Sequence, residues 1–248
     1  MNDRDCVRFL QGALPGLQLR WRGFRRVRRQ VCRRLQRRLK QLQLPDLAAY
    51  RRHLDRHPAE WKILDDCCRI TISCFWRDRI IWQLLDQAAL PQLASRERAR
   101  GRQVLMAWSA GCGAGEEPFS LALLWAHSRE PVFRLTTLDI LATYSDPGIL
   151  QRTRTACYPF SSIRDLPPDW RDTAFSHSDG QYCLQPRYRQ AVRFAQHDIR
   201  GSAPGGPYDP VLCRNLAFTY FDAGLQRHTA ARIHAVLHDD GLLVLGAH

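Results

Sequence analysis

No run of about 18 consecutive apolar residues occurs in this 248-residue chain, so no helix of membrane-spanning length is encoded. The opening stretch, MNDRDCVRFLQGALPGLQLR, is apolar only in short pieces and offers no clear cleavage site, which argues against a secretory leader. A soluble, cytoplasmic protein is expected. There is no CxxC pair and no Cys/His group at zinc spacing, so no metal site is expected either. The nine cysteines are odd in number, and several lie in apolar runs. Without a secretory leader they read as buried free thiols rather than a disulfide framework. Internal repeats and low-complexity tracts are also missing, and a content of 45% hydrophobic and 25% charged residues excludes a disordered or fibrous chain.

What is present in excess is arginine. The net charge of +13 comes almost entirely from it, and much of it falls between residues 20 and 40. Within residues 25–44, Val27, Val31, Leu35, Leu39 and Leu42 recur every three or four positions, one apolar stripe on a helix otherwise crowded with arginine. Such a face is either solvated surface or a docking surface for an acidic protein, a lipid headgroup or a nucleic acid. A second helix is expected after Asp46 as its cap, a third over residues 59–68 and a fourth over 78–87. Residues 1–95 therefore read as a small all-helical domain, with Leu90-Pro91 and the polar residues 95–103 as connection to a second domain, 96–248.

From Val104 the pattern changes to short apolar runs alternating with helical spacing. Strands are expected over 104–111, 133–141, 191–199, 208–215 and 241–248, an alternation that argues for a parallel sheet with crossover helices. Residues 158–196 exceed what a crossover needs. They read as a helix-plus-hairpin insertion at the sheet edge, its two extended segments joined at Pro186-Arg187.

The densest chemistry lies in AWSAGCGAGEEP, residues 107–118. A strand runs into Gly111-Cys112-Gly113-Ala114-Gly115, and a helix then opens with Glu116, Glu117 and Pro118. Glycines let a backbone approach a ligand and adopt turns that side chains forbid. Two acids here repel a phosphate, whereas S-adenosylmethionine (SAM) lacks phosphate and carries a cationic sulfonium and amino group, which favours SAM with a dinucleotide as the alternative. Asp139, read as lying near the end of the second strand, is placed to hold ribose hydroxyls, or else caps a helix. Asp198, ending the third strand, faces the adenine amino group or merely starts a turn.

The stretches SAGCGAGEEPFSLALL, TLDI, LCRNLAFTYFD and DGLLVLGAH, with ITISCFWRD upstream, resemble successive motifs of the chemotaxis-receptor (CheR-type) methyltransferase family, from about Arg25 to the C-terminus. The resemblance implies an α/β fold, a Rossmann-like class I methyltransferase sheet with a small N-terminal helical domain and the hairpin-containing insertion. It implies SAM as cofactor and a carboxylate acceptor, receptor glutamate being the family's best-known one. By motif position it puts Arg77 and Tyr220 beside the transferring methyl group, and Thr71, Ser73, Ala110 and Gly111 against the cofactor. Glu116 or Glu117 then meets the amino-acid portion, Asp139 the ribose, Asp198-Ile199 the adenine, and Asn215 shapes the donor site. Without the family, Arg77 reads as a surface ion-pair former and Tyr220 as a core aromatic.

The sequence departs from the family at Thr71 (usually asparagine), at Trp76 (usually phenylalanine), in Asp139-Ile140-Leu141, which lacks a second acid, and in 216–220, one residue longer. The family also continues past the fifth strand with two more, which leaves an open sheet edge expected here. These departures flank the proposed acceptor site. A small-molecule methyltransferase stands beside the carboxylate reading, and a degenerate module whose arginine helix binds nucleic acid or an acidic partner stands behind both.

Overall fold

The computed structural model describes residues 2–246. Its contacts divide the chain into two compact units, Met1–Thr71 with Leu216–Arg227, and Ile72–Asn215 with His228–His248.

The first unit is helical. Helix α1 (Asp3–Ala13) is capped by Asn2, whose side chain accepts from the Asp5 amide. Helix α2 (Arg28–Gln41) buries Val31, Leu35 and Leu39, the expected stripe. Asp46 caps α3 (Leu47–Arg56), as expected, by accepting from the Ala49 amide, and α4 (Glu60–Cys68) follows. Buried Glu60 receives Arg38 on both oxygens at 2.8 and 2.7 Å and the Tyr50 hydroxyl at 2.8 Å. The arginine holds the Glu60 carboxyl below its usual range, and burial pushes the Tyr50 phenol up. Arg28 pairs with Asp3, and Arg34 donates to the carbonyls of Cys67 and Arg69, so three arginines of α2 are engaged within the unit.

The expected boundary near residue 95 falls instead at Thr71, and the expected connection is helical. Helix α5 (Arg79–Leu84) runs through a π turn (Leu85–Ala89) into α6 (Leu90–Ala99), and the wider turn just before Pro91 accommodates its ring and missing amide. Trp82, Leu85, Leu90, Leu93 and Ala94 join the core of the second unit, so burial assigns this segment there.

In that unit β1 (Val104–Ala110) leads to α7 (Glu116–His127), then β2 (Thr137–Tyr144), α8 (Pro147–Thr155) and the two-residue β3 (Cys157–Tyr158). After α9 (Pro168–Ala174) come β4 (Phe175–Ser178), β5 (Gln181–Leu184), β6 (Val192–Gln196) and β7 (Tyr208–Leu212). Helix α10 (Ala223–Val236) and β8 (Leu237–Val244) close the described fold. All five expected sheet strands form, in the order β6-β2-β1-β7-β8, and every pairing is parallel. This is the doubly wound, Rossmann-like arrangement: the winding reverses between β1 and β7, which opens a crevice at their carboxyl ends.

The second strand starts later than the sequence suggested. Residues Pro131–Arg134 form a helical turn that stacks Phe133 on Trp125 at 4.0 Å, so the strand runs three residues further, to Tyr144. The insertion hairpin also differs. Its turn is Asp179-Gly180, both with positive φ, between β4 and β5, while Pro186–Arg189 is a helical turn entering β6. Strand β3 adds to this hairpin to make a three-stranded sheet, β3-β5-β4.

The free-thiol reading holds for five cysteines and fails for four. Cys6–Cys32 joins α1 to α2, and Cys157–Cys183 joins directly paired residues of β3 and β5. Both pairs are 26 residues apart in sequence, and only helix packing and strand register bring them together. No helix among the described residues is long and apolar enough to cross a membrane.

Candidate active site

The loop after β1 lies at the crevice where the sheet reverses. The amides of Gly111 and Cys112 both donate to the Thr143 carbonyl, at 2.9 and 3.0 Å, which fastens the loop to the end of β2. Gly111, Gly113 and Gly115 all have positive φ (87°, 58° and 98°), a path closed to most side chains. At Gly115 a Cβ would also come within 2.9 Å of the Phe119 ring and 3.1 Å of the Tyr158 hydroxyl. That hydroxyl donates to the Ala114 carbonyl at 2.8 Å and so holds the loop from the insertion side.

The two acids that follow are not equivalent. Glu117 accepts from the Ser109 hydroxyl at 2.8 Å and lies 3.6 Å from the Arg214 guanidinium. It is satisfied within the fold. Glu116 is buried, and its Oε2 has no hydrogen-bond partner among the described residues. Burial pushes the Glu116 carboxyl up, against the opposing pull of loop amides, Arg152 and the Ser73 hydroxyl. A Cβ at Gly113 would make only ordinary contacts, with Glu116 Oε2 at 3.8 Å and Ser73 Cβ at 4.0 Å. A buried acceptor without a partner beside a glycine loop suits a cationic ligand group. The donor set thus fits the ammonium end of SAM.

Arg77 sits between two residues in the left-handed region, Trp76 and Asp78, each at φ 60°. Asn215, also left-handed at φ 53°, lies 3.5 Å from the Asp78 carboxylate through its Nδ2. Three such non-glycine residues in one region mark a backbone held by its surroundings, as functional sites are. The holder is Arg214, which the sequence reading passed over. Its buried guanidinium pairs with Asp78 at 3.0 Å, donates to the Arg77 carbonyl, and stacks over Trp82 at 5.0 Å. The Arg77 side chain turns back to donate to the Ile72 carbonyl at 3.0 Å. Only its position next to Asn215 could have pointed to Arg214, because its partners lie about 100 and 136 residues away in sequence.

The remaining expected residues divide. Ala110 and Gly111 stand at the strand end as expected, and Ser73 reaches Glu116. Asp198 and Ile199 follow β6 at its carboxyl end; Ile199 is buried, and the Asp198 carboxylate accepts from Arg200 at 2.8 Å. Asp139 is a correction. The register Met106↔Asp139 puts it third in β2, and Arg193 of β6 grips it on the sheet face. The strand end carries Tyr144, and Asp146 just beyond it caps α8 by accepting the Gly148 and Ile149 amides. Thr71 and Tyr220 belong to the first unit. There Thr71 is half-buried, while Tyr220 has its ring 5.1 Å from Phe24 and its carbonyl bonded by the Arg20 amide at 2.8 Å.

A glycine loop and a buried acid at the switch point of a parallel sheet define a nucleotide-cofactor domain. Residues 72–248 match the family described as CheR methyltransferase, SAM binding domain, and residues 27–66 match CheR methyltransferase, all-alpha domain. The chain belongs to the CheR methyltransferase family, and SAM is the cofactor of its larger domain. It is 34% identical over 177 residues to the chemotaxis protein methyltransferase of Listeria monocytogenes, covering 71% of this chain and 64% of that one. It is 31% identical over 225 residues to chemotaxis protein methyltransferase 2 of Pseudomonas aeruginosa, covering 87% and 76%. An uncharacterized 104.1 kDa protein of Rhodobacter capsulatus is 31% identical over 216 residues, 87% of this chain but 22% of that protein. The chain therefore spans less than two thirds of the length of the first and third of these relatives.

Proposed function

We propose that this chain transfers the methyl group of SAM to a carboxylate, most naturally a glutamate side chain of an acidic protein. The observation that carries the reading is Glu116 Oε2, a buried acceptor without a partner among the described residues, beside Gly113 of the glycine loop. Glu116 receives the ammonium of the cofactor, and the Gly111–Gly115 turn lets its backbone approach. Glu117 acts at one remove, holding Arg214, which in turn fixes the Arg77 backbone.

SAM supplies a methyl carbon already activated by positive sulfur. The protein's task is to hold the acceptor in line with it, which accounts for most of the achievable acceleration. A carboxylate is ionised at pH 7 and needs no general base. Arg77 orients it by paired hydrogen bonds, releasing its present bond to the Ile72 carbonyl to do so. Tyr220 is assigned the far side of the methyl group, and Thr71 a cofactor contact, on the family resemblance alone.

The test has two parts. Calorimetry with the purified chain is expected to give SAM binding in the micromolar range, and an absence of binding sinks the proposal. Incubation with methyl-labelled SAM and cell extract is expected to leave label in base-labile protein esters. Label in small metabolites instead would assign the same scaffold to a small-molecule acceptor.

A further inference from the structure

The glycine loop occupies the carboxyl edge of the sheet. At the amino edge, among the described residues, Glu97 of α6, Asp209 of β7 and His238 of β8 bring one donor atom each within 4.8 Å of one another. Glu97 and Asp209 are 2% and 3% exposed, and His238 is half-buried.

The charges here are not balanced residue by residue. Glu97 is matched: Arg100 lies on its Oε1 at 2.9 Å, and Arg102 Nε lies on its Oε2. Arg100 is further held by Asp240 at 2.6 Å. Asp209 accepts the Met106 amide on Oδ2 at 2.7 Å, and the nearest cationic candidate to its Oδ1 is His238 Nε2 at 4.0 Å. That nitrogen, however, receives Arg102 at 2.8 Å. A guanidinium only donates, so in this contact the Nε2 lone pair faces Arg102 at the rim of the cluster. Among the described residues no Lys or Arg pairs with Asp209, so the three donor atoms converge on a point that no protein cation fills.

We infer that Glu97, Asp209 and His238 form a binding site for a divalent first-row cation of zinc type. Two carboxylate oxygens and one imidazole nitrogen suit zinc, cobalt or manganese, and they leave a fourth position for water. Metal–ligand bonds of about 2.0–2.2 Å need the three donors to draw in by about 1 Å. Arg102 is the competitor: its 42%-exposed side chain now contacts Glu97 and His238, two of the three atoms the metal takes, and it is free to swing into solvent. Because the ligands come from α6, β7 and β8, the ion fastens the edge strand β8 to its neighbour and to the helix beneath.

The full chain, stripped with chelator and titrated with cobalt(II), tests this. One equivalent is expected whose visible absorption lacks thiolate-to-cobalt charge transfer, which separates it from binding at the free cysteines. His238→Ala and Asp209→Asn are each expected to weaken that equivalent at least about tenfold, with far-ultraviolet circular dichroism unchanged. Arg102→Ala removes the competitor and is expected to tighten it about tenfold, a gain that no loss of structure imitates. The inference is overturned if the wild-type chain takes up no sulfur-free equivalent. It is equally overturned if His238→Ala binds as tightly as wild type, or if Arg102→Ala binds no more tightly.

Discussion

Arg193 holds Asp139 by two parallel hydrogen bonds, Nε to Oδ1 and Nη2 to Oδ2, both 3.1 Å, between neighbouring strands β6 and β2. The pair lies on the sheet face, five residues short of the carboxyl end of β2 where a ribose would sit. Asp139→Asn is therefore expected to change SAM affinity by less than about twofold in calorimetry. Its cost in stability is expected to stay below about 1 kcal/mol, because the pair is largely solvent-exposed. A tenfold loss of affinity would return Asp139 to the cofactor site.

Glu116 gives the opposite expectation. Glu116→Gln removes the charge that faces the ammonium, and SAM affinity is expected to fall about 10- to 100-fold. The pH dependence follows from the sign of the shift. Burial raises this carboxyl above its ordinary value of 4.5, so acidification neutralises it sooner than an exposed glutamate. SAM affinity of the wild type should decline as pH falls toward that raised value, and the Gln variant should show a flatter profile. For the ligand-free protein a raised carboxyl pKa lowers stability as pH rises through it. The variant is thus expected to melt at a higher temperature than wild type at neutral pH, which differential scanning calorimetry reads directly.

Arg77→Ala is expected to abolish turnover, at least about 100-fold in kcat, while SAM affinity changes by less than about threefold. A KM–kcat split separates this from a purely structural role, since the fold rests on the Arg77 carbonyl rather than on its side chain. Arg77→Lys keeps the charge but loses the forked geometry, so only partial recovery is expected.

In the helical unit, replacing Cys6 and Cys32 by serine is expected to lower unfolding free energy by about 2–4 kcal/mol in urea titration, the range for closing a loop of this size. Wild type under reductant should show the same midpoint as the double variant. A midpoint unmoved by reductant would mean that the two thiols are not joined in solution.

The fold was largely legible because its signals are periodic. The three-and-four spacing of Val31, Leu35 and Leu39, and the apolar runs of five strands, each name one buried face. Strand ends were less legible. Phe133 reads as strand by composition, but Trp125 draws it into a helical turn, and that shift of three residues misplaced Asp139. Pro91 reads as a break, yet a preceding π turn accommodates it. In the candidate site, Gly111, Glu116 and Glu117 are local in sequence and therefore readable together, whereas Arg214 and Asp78 pair across more than a hundred residues. The two disulfides and the Glu97–Asp209–His238 cluster escaped for the same reason: pairing across long separations leaves no spacing to read.

The arginines engaged inside the helical unit bear on how the chain meets polyanions. Of the seven basic side chains on α2, Arg28, Arg34 and Arg38 are tied to Asp3, backbone carbonyls and Glu60, which leaves Arg29, Arg33, Arg37 and Lys40 outward. A nucleic-acid duplex laid along that helix alone would displace counterions from about four phosphates, a logarithmic salt slope of about −3.6 rather than the steeper one the formal charge suggests.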